Sequence, residues 1–446
     1  MIPQKIYMTD VAQLRRPADL QAQVRSEAHA WLRAPGPKQV WNPAPHQYIK
    51  QAGVLMLAAA FLAAAPGGRA HDGPHGRAQA GAEAPDISYT VHLAKEITNV
   101  PPPRQITIPD AGGFRVLKGD FHIHTLFSDG WVWPTERVIE ADENGLDAIA
   151  ITDHIEYRPR LGGPERRDKK GKITNIQLRD ENDNYNFSYE LAKPEADKRK
   201  IILVRGTEIT KKTMPPGHFN ALFVQDVNKI AALQDDYWKM FEEAVAQGGF
   251  LLWNHPGWEA PKSGGIEKGA PTVFTKTHEE IYKKGYMHGI EAFNSKNFYP
   301  VVAAWCTERD LAVFADSDIH LPESRNYGLR NPRRPVTLVF AREKTLESLR
   351  EAFFAKRTVG WAVDMIFGQE KWVRPLFNAC VEIKKEAGGL AFVNRSSIPV
   401  TLKAGGRTVE LAPLATATAE ADGRVKTITV ENWLVGKYKP LVVPVE

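Results

Sequence analysis

From about residue 114 onward, short apolar runs alternate with stretches of helical periodicity. The runs FRVLKGDFHIHT, GLDAIAITDH, KIILVRGTEIT, HFNALFV, FLLWNHP, GIEAFNS and LAVFADSDIH read as strands. Helices are expected over Pro134–Asn144, Ala231–Gln247, Thr277–Lys284, Pro300–Asp310 and Leu346–Lys356. Pro134 suits a first helical position, where its missing N–H costs nothing. Strand–helix alternation predicts a mainly parallel α/β domain.

Three stretches depart from that rhythm. Residues 157 to 200 are very polar and carry RRDKKGK and RDENDN, which reads either as a solvated surface insertion or as a loop closing over a substrate. After about residue 375, apolar and polar residues alternate between Gly-rich turns, the pattern of a small antiparallel β-sandwich. Near the other end, residues 52 to 68 are uncharged, with Lys50 before them and Gly68-Arg69-Ala70 after. A basic flank, a short apolar run and a small-residue exit describe a secretory signal peptide. The run falls short of the ~20 residues that span a bilayer, so no stable membrane anchor is expected. A buried helix is the competing reading.

The expected organisation is therefore an N-terminal extension over 1–49, a signal peptide over 50–70 and a Gly/Ala/Pro-rich linker over 71–100. An α/β domain over 101–370 and a small β domain over 371–446 follow. The first segment is too long for a signal n-region and is either a start codon placed too early or a real extension. Export places the protein in the periplasm or outside the cell; a structural role for the apolar run would leave it cytoplasmic.

With 446 residues, 43% hydrophobic and 25% charged, the chain can bury a sizeable core. The formal charge of +5 is scattered, and a mild positive field favours anionic small molecules. No basic stripe interleaved with aromatics appears, so no dedicated nucleic-acid surface is expected. Cys306 and Cys380 cannot build a Cys-type zinc site or a disulfide framework, so any metal must sit on imidazoles and carboxylates.

Those groups recur at strand ends. Asp120, His122 and His124 alternate along one run and are expected to share a face, with Phe121 and Ile123 opposite. Asp129 follows in Ser128-Asp129-Gly130. His154 ends the AIAITDH run, Glu208 ends IILVRGTEIT, His218 opens HFNALFV, His255 ends FLLWNHP, and Asp318 and His320 end VFADSDIH. A glutamate among apolar strand residues is costly unless it is paired or bound to a cation. Six histidines and three acids thus occupy strand ends, while the other seven histidines do not. In an α/β barrel those ends converge on one mouth, which makes the set a candidate metal centre.

The order DFHIHT, SDG, TDH, GTE with a following histidine, NHP and SDIH resembles the PHP (polymerase and histidinol phosphatase) family over roughly residues 119 to 321. The resemblance implies a distorted (β/α)7 barrel holding two or three divalent metals, typically zinc, manganese or iron. It implies that His122, His124, Glu208 and Asp318 bind one metal. Glu208, His218 and His255 would bind a second, with Glu208 bridging, and Asp129, His154 and His320 a third. TDHIEYRP and the C-terminal tail look similar to exported PHP phosphodiesterases. The expected activity is hydrolysis of a small anionic phosphodiester by a metal-activated hydroxide, without a serine or cysteine nucleophile. The alternatives are a phosphomonoesterase of histidinol-phosphatase-like chemistry and a non-catalytic metal-binding module.

Around that core, Asp120 and Asp153 are candidates to orient ligand imidazoles. His154 or His320 would protonate the leaving group if the third metal were absent. Arg158 is expected to overhang the mouth and meet the phosphate, with Lys296 as a weaker candidate. Trp253, Trp258 and Tyr157 would line a pocket or pack at the rim.

Overall fold

The computed structural model describes residues 105–158, 184–210, 215–233, 236–257, 272–327, 333–420 and 425–445, with the backbone of a two-residue hairpin pairing 166–167 with 173–174. The N-terminal extension, the signal peptide, the linker, the middle of the polar 157–200 stretch (159–183, apart from that hairpin) and Trp258 lie outside the described residues.

Seven strands lie side by side: β1 (Arg115–Ile123), β2 (Ala148–Ile151), β3 (Ile202–Ile209), β4 (Phe219–Leu222), β5 (Phe250–Trp253), β6 (Gly289–Asn294) and β7 (Ala312–Asp316). Their spatial order follows the chain. The pairs β1–β2, β2–β3, β5–β6 and β6–β7 are parallel. β4 is antiparallel to both neighbours. The link from Ile209 to Phe219 is shorter than the roughly dozen residues a parallel crossover needs, so the chain reverses there. β2 and β5 are buried throughout, as their unbroken apolar sequences require. β7 returns toward β1 through a single parallel bridge, Ile123 to Ile319, rather than a ladder.

Helices connect the strands: α1 (Pro134–Glu143), α2 (Phe187–Arg199), α3 (Val227–Ala231), α4 (Tyr237–Ala246), α5 (Lys276–Lys283) and α6 (Pro300–Arg309). The first and last open on proline. Asp236 caps α4 and Thr275 caps α5 by accepting from first-turn N–H groups. α2 falls inside the stretch expected to interrupt the alternation. It is instead the crossover between β2 and β3. Its buried side is only Ser188, Ala192 and Ala196, and Pro194 lies within it, so the apolar period is nearly silent in the sequence.

The sheet continues beyond β1 through β8 (Val336–Ala341), β9 (Thr358–Ala362) and β10 (Met365–Gly368), with α7 (Leu346–Phe354) between β8 and β9. After α8 (Glu370–Cys380) the chain is β-rich. It forms β11 (Val381–Glu386), β12 (Gly389–Asn394), β13 (Val400–Ala404), β14 (Arg407–Leu411), β15 (Thr416–Glu420), β16 (Thr427–Leu434) and β17 (Pro440–Pro444). β11, β12 and β15 form a separate three-stranded sheet. β16 pairs parallel with β10, so the second group, β13, β14, β16 and β17, extends the large sheet. One apolar cluster runs from Ile149 and Leu338 to Val400 and Trp433 without a break. The architecture is thus a mixed α/β fold on one large, parallel-containing sheet, with a β-rich C-terminal part.

One sequence expectation changes at β1. Phe121 and Ile123 do not pack together: Phe121 joins Phe314 and Phe353, while Ile123 joins the α1 side chains Val138 and Ala141. The register of β1 against β2 shifts between Asp120 and Ile123, which breaks the two-residue alternation there. Cys306 and Cys380 are both buried and free.

Candidate metal centre

The parallel strands bring their C-terminal ends to one side of the sheet. His122 is next to the last residue of β1 and His124 lies just beyond it, Asp129 is in the following loop, and His154 follows β2. Glu208 sits near the end of β3, His255 follows β5, and Asp318 and His320 follow β7. His218 precedes β4, because an antiparallel strand offers its N-terminal end to the same side. All nine residues picked out in the sequence meet there.

They meet closely. His122 Nε2 lies 3.2 Å from His124 Nε2, 3.3 Å from Glu208 Oε2 and 3.3 Å from Asp318 Oδ1. His124 Nε2 lies 3.1 Å from Glu208 Oε2 and 3.2 Å from Asp318 Oδ1. The other oxygen of Glu208 is 2.8 Å from His218 Nδ1 and 3.5 Å from His255 Nε2. Asp129 Oδ1 is 3.1 Å from His320 Nε2, and its Oδ2 is 3.7 Å from His154 Nε2. Four overlapping groups have donors close enough to share an ion. They are His122, His124 and Glu208; Glu208, His218 and His255; His122, His255 and Asp318; and His124, Asp129, His154 and His320. These cut across the three implied sets: Asp318 groups with His255, and His124 joins the third group.

The donor set fits divalent metal. Neighbouring donors about 2.1 Å from one ion stand about 3.0–3.4 Å apart at octahedral to tetrahedral angles, the spacing found around His122 and His124. Burial favours a cation. Glu208 is 1% exposed and His122 and His124 are fully buried, so the Glu208 carboxylate needs a positive partner other than water. The electrostatics agree. Burial alone would lower the pKa of His122, but Asp318, Glu291 and Glu208 outweigh it and hold the imidazole well above its usual range. Against the same burial penalty, Asp318 and Glu208 raise His124 to about 9. Surrounding imidazoles hold Asp129, Glu208 and Asp318 below the ordinary carboxylate range despite burial. Protons here do what cations would do.

Backbone conformation helps to aim the donors. His255 and Asp318 have φ of 26° and 51°, a region that costs non-glycine residues energy and recurs where a site over-determines the chain. Gly130 allows the Asp129 loop to close: a Cβ there would stand 2.7 Å from backbone atoms of His124 and Thr125.

Orienting groups differ from those expected. Neither Asp120 nor Asp153 reaches an imidazole. Asp120 holds the Asp318 turn by accepting from Ser317 N at 3.0 Å and from Ser317 Oγ, and it pairs with Arg334 at 3.0 Å. Asp153 accepts from Thr125 N and Ser128 Oγ at 2.7 Å each, and Ser128 Oγ is 3.1 Å from His124 Nδ1. Outside the nine donors, the acid found touching a ring among the described residues is Glu291, which the sequence reading passed over. Its Oε1 is 2.8 Å from His122 Nδ1, and its Oε2 accepts from His255 N at 2.6 Å and Asn294 Nδ2 at 2.9 Å. The signal was present: Glu291 interrupts the apolar run GIEAFN as Glu208 interrupts its own. Arg137, fully buried, was also missed; it donates to the carbonyls of His124, Ile319 and Leu321.

Arg158 donates from Nε to Phe127 O at 2.8 Å and stacks on Tyr185 at 4.3 Å, which ties it to the Asp129 loop. Lys296 is exposed after β6. Trp253 is fully buried and stacks on His278 at 3.8 Å, so it packs rather than lines the site. Tyr157 is half-buried, its ring 6.2 Å from that of His154.

A two-domain protein from Bacteroides vulgatus, which contains a predicted PHP-like metal-dependent phosphoesterase, matches 78% of this chain and 99% of its own at 34% identity, with a TM-score of 0.67. A candidate metal-dependent phosphoesterase from Bifidobacterium adolescentis matches at 16% identity and TM-score 0.32, covering 52% of this chain and 94% of its own. An amidohydrolase from Chromobacterium violaceum with bound sulfate and no metal matches at 15% identity and TM-score 0.30, covering 46% and 88%. No family model and no curated protein matches the chain.

Proposed function

This chain belongs to the PHP-like metal-dependent phosphoesterases, and from that premise we propose that it hydrolyses phosphodiesters at a centre of two or three divalent ions, manganese, zinc or iron. The observation that carries the hydrolytic reading is the packing of five imidazoles, those of His122, His124, His154, His218 and His255, around the two oxygens of Glu208. The diester class rests on the likeness of the TDHIEYRP stretch and the β-rich tail to exported diesterases.

Glu208 would bridge, its Oε2 toward His122, His124 and His154 and its Oε1 toward His218 and His255. Asp318 would complete the His122 side, and Asp129, His154 and His320 would hold a further ion. Bound there, divalent ions lower the pKa of water and neutralise phosphoryl oxygens. The protein's own part is orientation. Glu291 fixes the His122 ring so that Nε2 faces the centre, and Asp153 does the same for His124 through Ser128. His320, 33% exposed at its side chain, is the most open of the nine donors and would hand a proton to the departing oxygen when it holds no metal. Arg158 would meet the substrate's phosphate from beside the Asp129 loop.

We also retain export as part of the proposal. Among the described residues no helix is long and apolar enough to cross a membrane, and the expected signal peptide lies outside them.

The test is to measure bound metal and to compare bis(p-nitrophenyl) phosphate with p-nitrophenyl phosphate, using Glu208→Gln as the control. Diester turnover with two or more ions, lost in the variant, supports the proposal. Preference for the monoester would replace it with a phosphatase, and metal without turnover of either ester would argue for a binding module.

A further inference from the structure

The described side chains that touch the two oxygens of Glu208 are five imidazoles and one amide. The amide is that of Asn254, whose Nδ2 donates to Glu208 Oε1 at 3.0 Å. The same nitrogen donates to Asn220 Oδ1 at 2.9 Å, and Asn220 Nδ2 donates to Phe121 O at 3.1 Å. Both asparagines are fully buried, Asn220 inside β4 and Asn254 just beyond β5. Buried amides cost free energy unless their polar atoms are met, so two of them in contact at one place need a physical reason.

The polarity of this relay is fixed at its far end. Phe121 O can only accept, so Asn220 gives it the amide nitrogen and turns its oxygen to Asn254. Asn254 must then offer nitrogen to Asn220, and that nitrogen carries a second hydrogen for Glu208. Reversed, Asn254 would set its oxygen against the carboxylate and against Asn220 Oδ1. Asn254 Oδ1 is buried and has no hydrogen-bond partner among the described residues. An orphaned buried acceptor is destabilising, so the amide is kept for what it donates.

An imidazole can turn a lone pair to a metal, whereas an amide nitrogen only donates. Asn254 therefore keeps its hold on Oε1 when the imidazoles hold ions. The Oε1 side depends on that hold, because Glu208 is the one carboxylate in its group with His218 and His255. The last bond of a glutamate side chain is a soft torsion. Unheld, the carboxylate is free to swing both oxygens toward His122 and His124 and to leave His218 and His255 without it. We propose that Asn254, braced by Asn220, is a positioning residue that keeps Glu208 spread across the centre and so sets the affinity of the His218–His255 ion. This deepens the phosphoesterase reading and rests on the bridging role given there to Glu208.

Manganese titration of the metal-free full chain separates this role from one in the fold. Calorimetry should resolve at least two ions in the parent, and electron paramagnetic resonance should show them spin-coupled. Asn254→Leu matches the amide in branching and removes both donors. In it one ion should bind about 10- to 100-fold more weakly, the size of an outer-partner loss, while the other stays within about threefold of the parent. At manganese levels that couple the parent, its spectrum should be that of an isolated ion. Asn220→Leu leaves Asn254 in place but unbraced, and should weaken the same ion by a smaller factor. Unchanged thermal unfolding shows that each variant has folded. Unchanged affinities in both variants, or an equal loss at every ion, would overturn the positioning role and leave the phosphoesterase reading standing. Failure of both variants to fold would also overturn it, by assigning the amides to the fold. Fewer than two ions in the parent would remove the bridge and the inference with it. A selective loss in Asn254→Leu, with no diester turnover by the parent, would keep the positioning role and remove the diesterase reading.

Discussion

Replacing Glu291 by glutamine should loosen the centre without touching any of its nine donors. Glu291 is fully buried and serves two masters: His122 Nδ1 at 2.8 Å and His255 N at 2.6 Å, with Asn294 Nδ2 at 2.9 Å. Glutamine keeps the volume, so no cavity confuses the result. It has only one carbonyl oxygen. If that oxygen serves His255 N, the amide N–H₂ faces His122 Nδ1 and forces the ring proton onto Nε2, the nitrogen needed by the metal. If it serves His122, the N–H₂ opposes two donors, and a buried donor left unsatisfied costs about 1–3 kcal/mol. Either way the orienting bond is compromised, a change that costs roughly 10- to 100-fold in metal affinity. Calorimetric titration of the metal-free protein reads the affinity, and a urea midpoint reads the stability. Wild-type values for both would refute the reasoning, because they would mean that neither ring nor turn depends on this carboxylate.

Three further expectations follow from the geometry. Arg137→Met removes a fully buried guanidinium that pairs with Glu140 at 2.7 Å and donates to three carbonyls, and it should cost about 3–5 kcal/mol in chemical denaturation; a loss under about 1 kcal/mol would contradict it. Gly130→Ala pushes a Cβ against backbone atoms of His124 and Thr125 and should displace Asp129, lowering ester hydrolysis at least about tenfold with the fold intact by circular dichroism. His278, stacked on Trp253 and donating to Pro216 O at 2.8 Å, is held neutral by burial, its pKa lowered to about 4. The unfolded chain binds this proton first, so the contribution to stability is complete above about pH 6.5 and drains away as pH falls toward about 4, up to roughly 3 kcal/mol. Urea midpoints across that range should slope less in His278→Gln than in the parent, and equal slopes would rule the effect out.

Much of this protein was legible in its sequence, for a physical reason. Ionisable residues inside apolar strands are expensive, so their placement at the ends of six of the seven runs could be read as one centre before any contact was known. The strands themselves declared their buried character by composition alone. What the linear pattern did not contain was long-range. The reversal of β4 came from a short link, and α2 was hidden because alanine burial leaves almost no period. The register shift in β1, which sends Phe121 and Ile123 to separate clusters, depends on the neighbouring strand. Glu291 and Arg137 act on partners 169 and up to 184 residues away, and only folding brings those partners within hydrogen-bond reach. Composition and spacing set which side chains must be neutralised. Tertiary packing alone decided which of them hold the others in place, because orientation is a property of contacts and not of order along the chain.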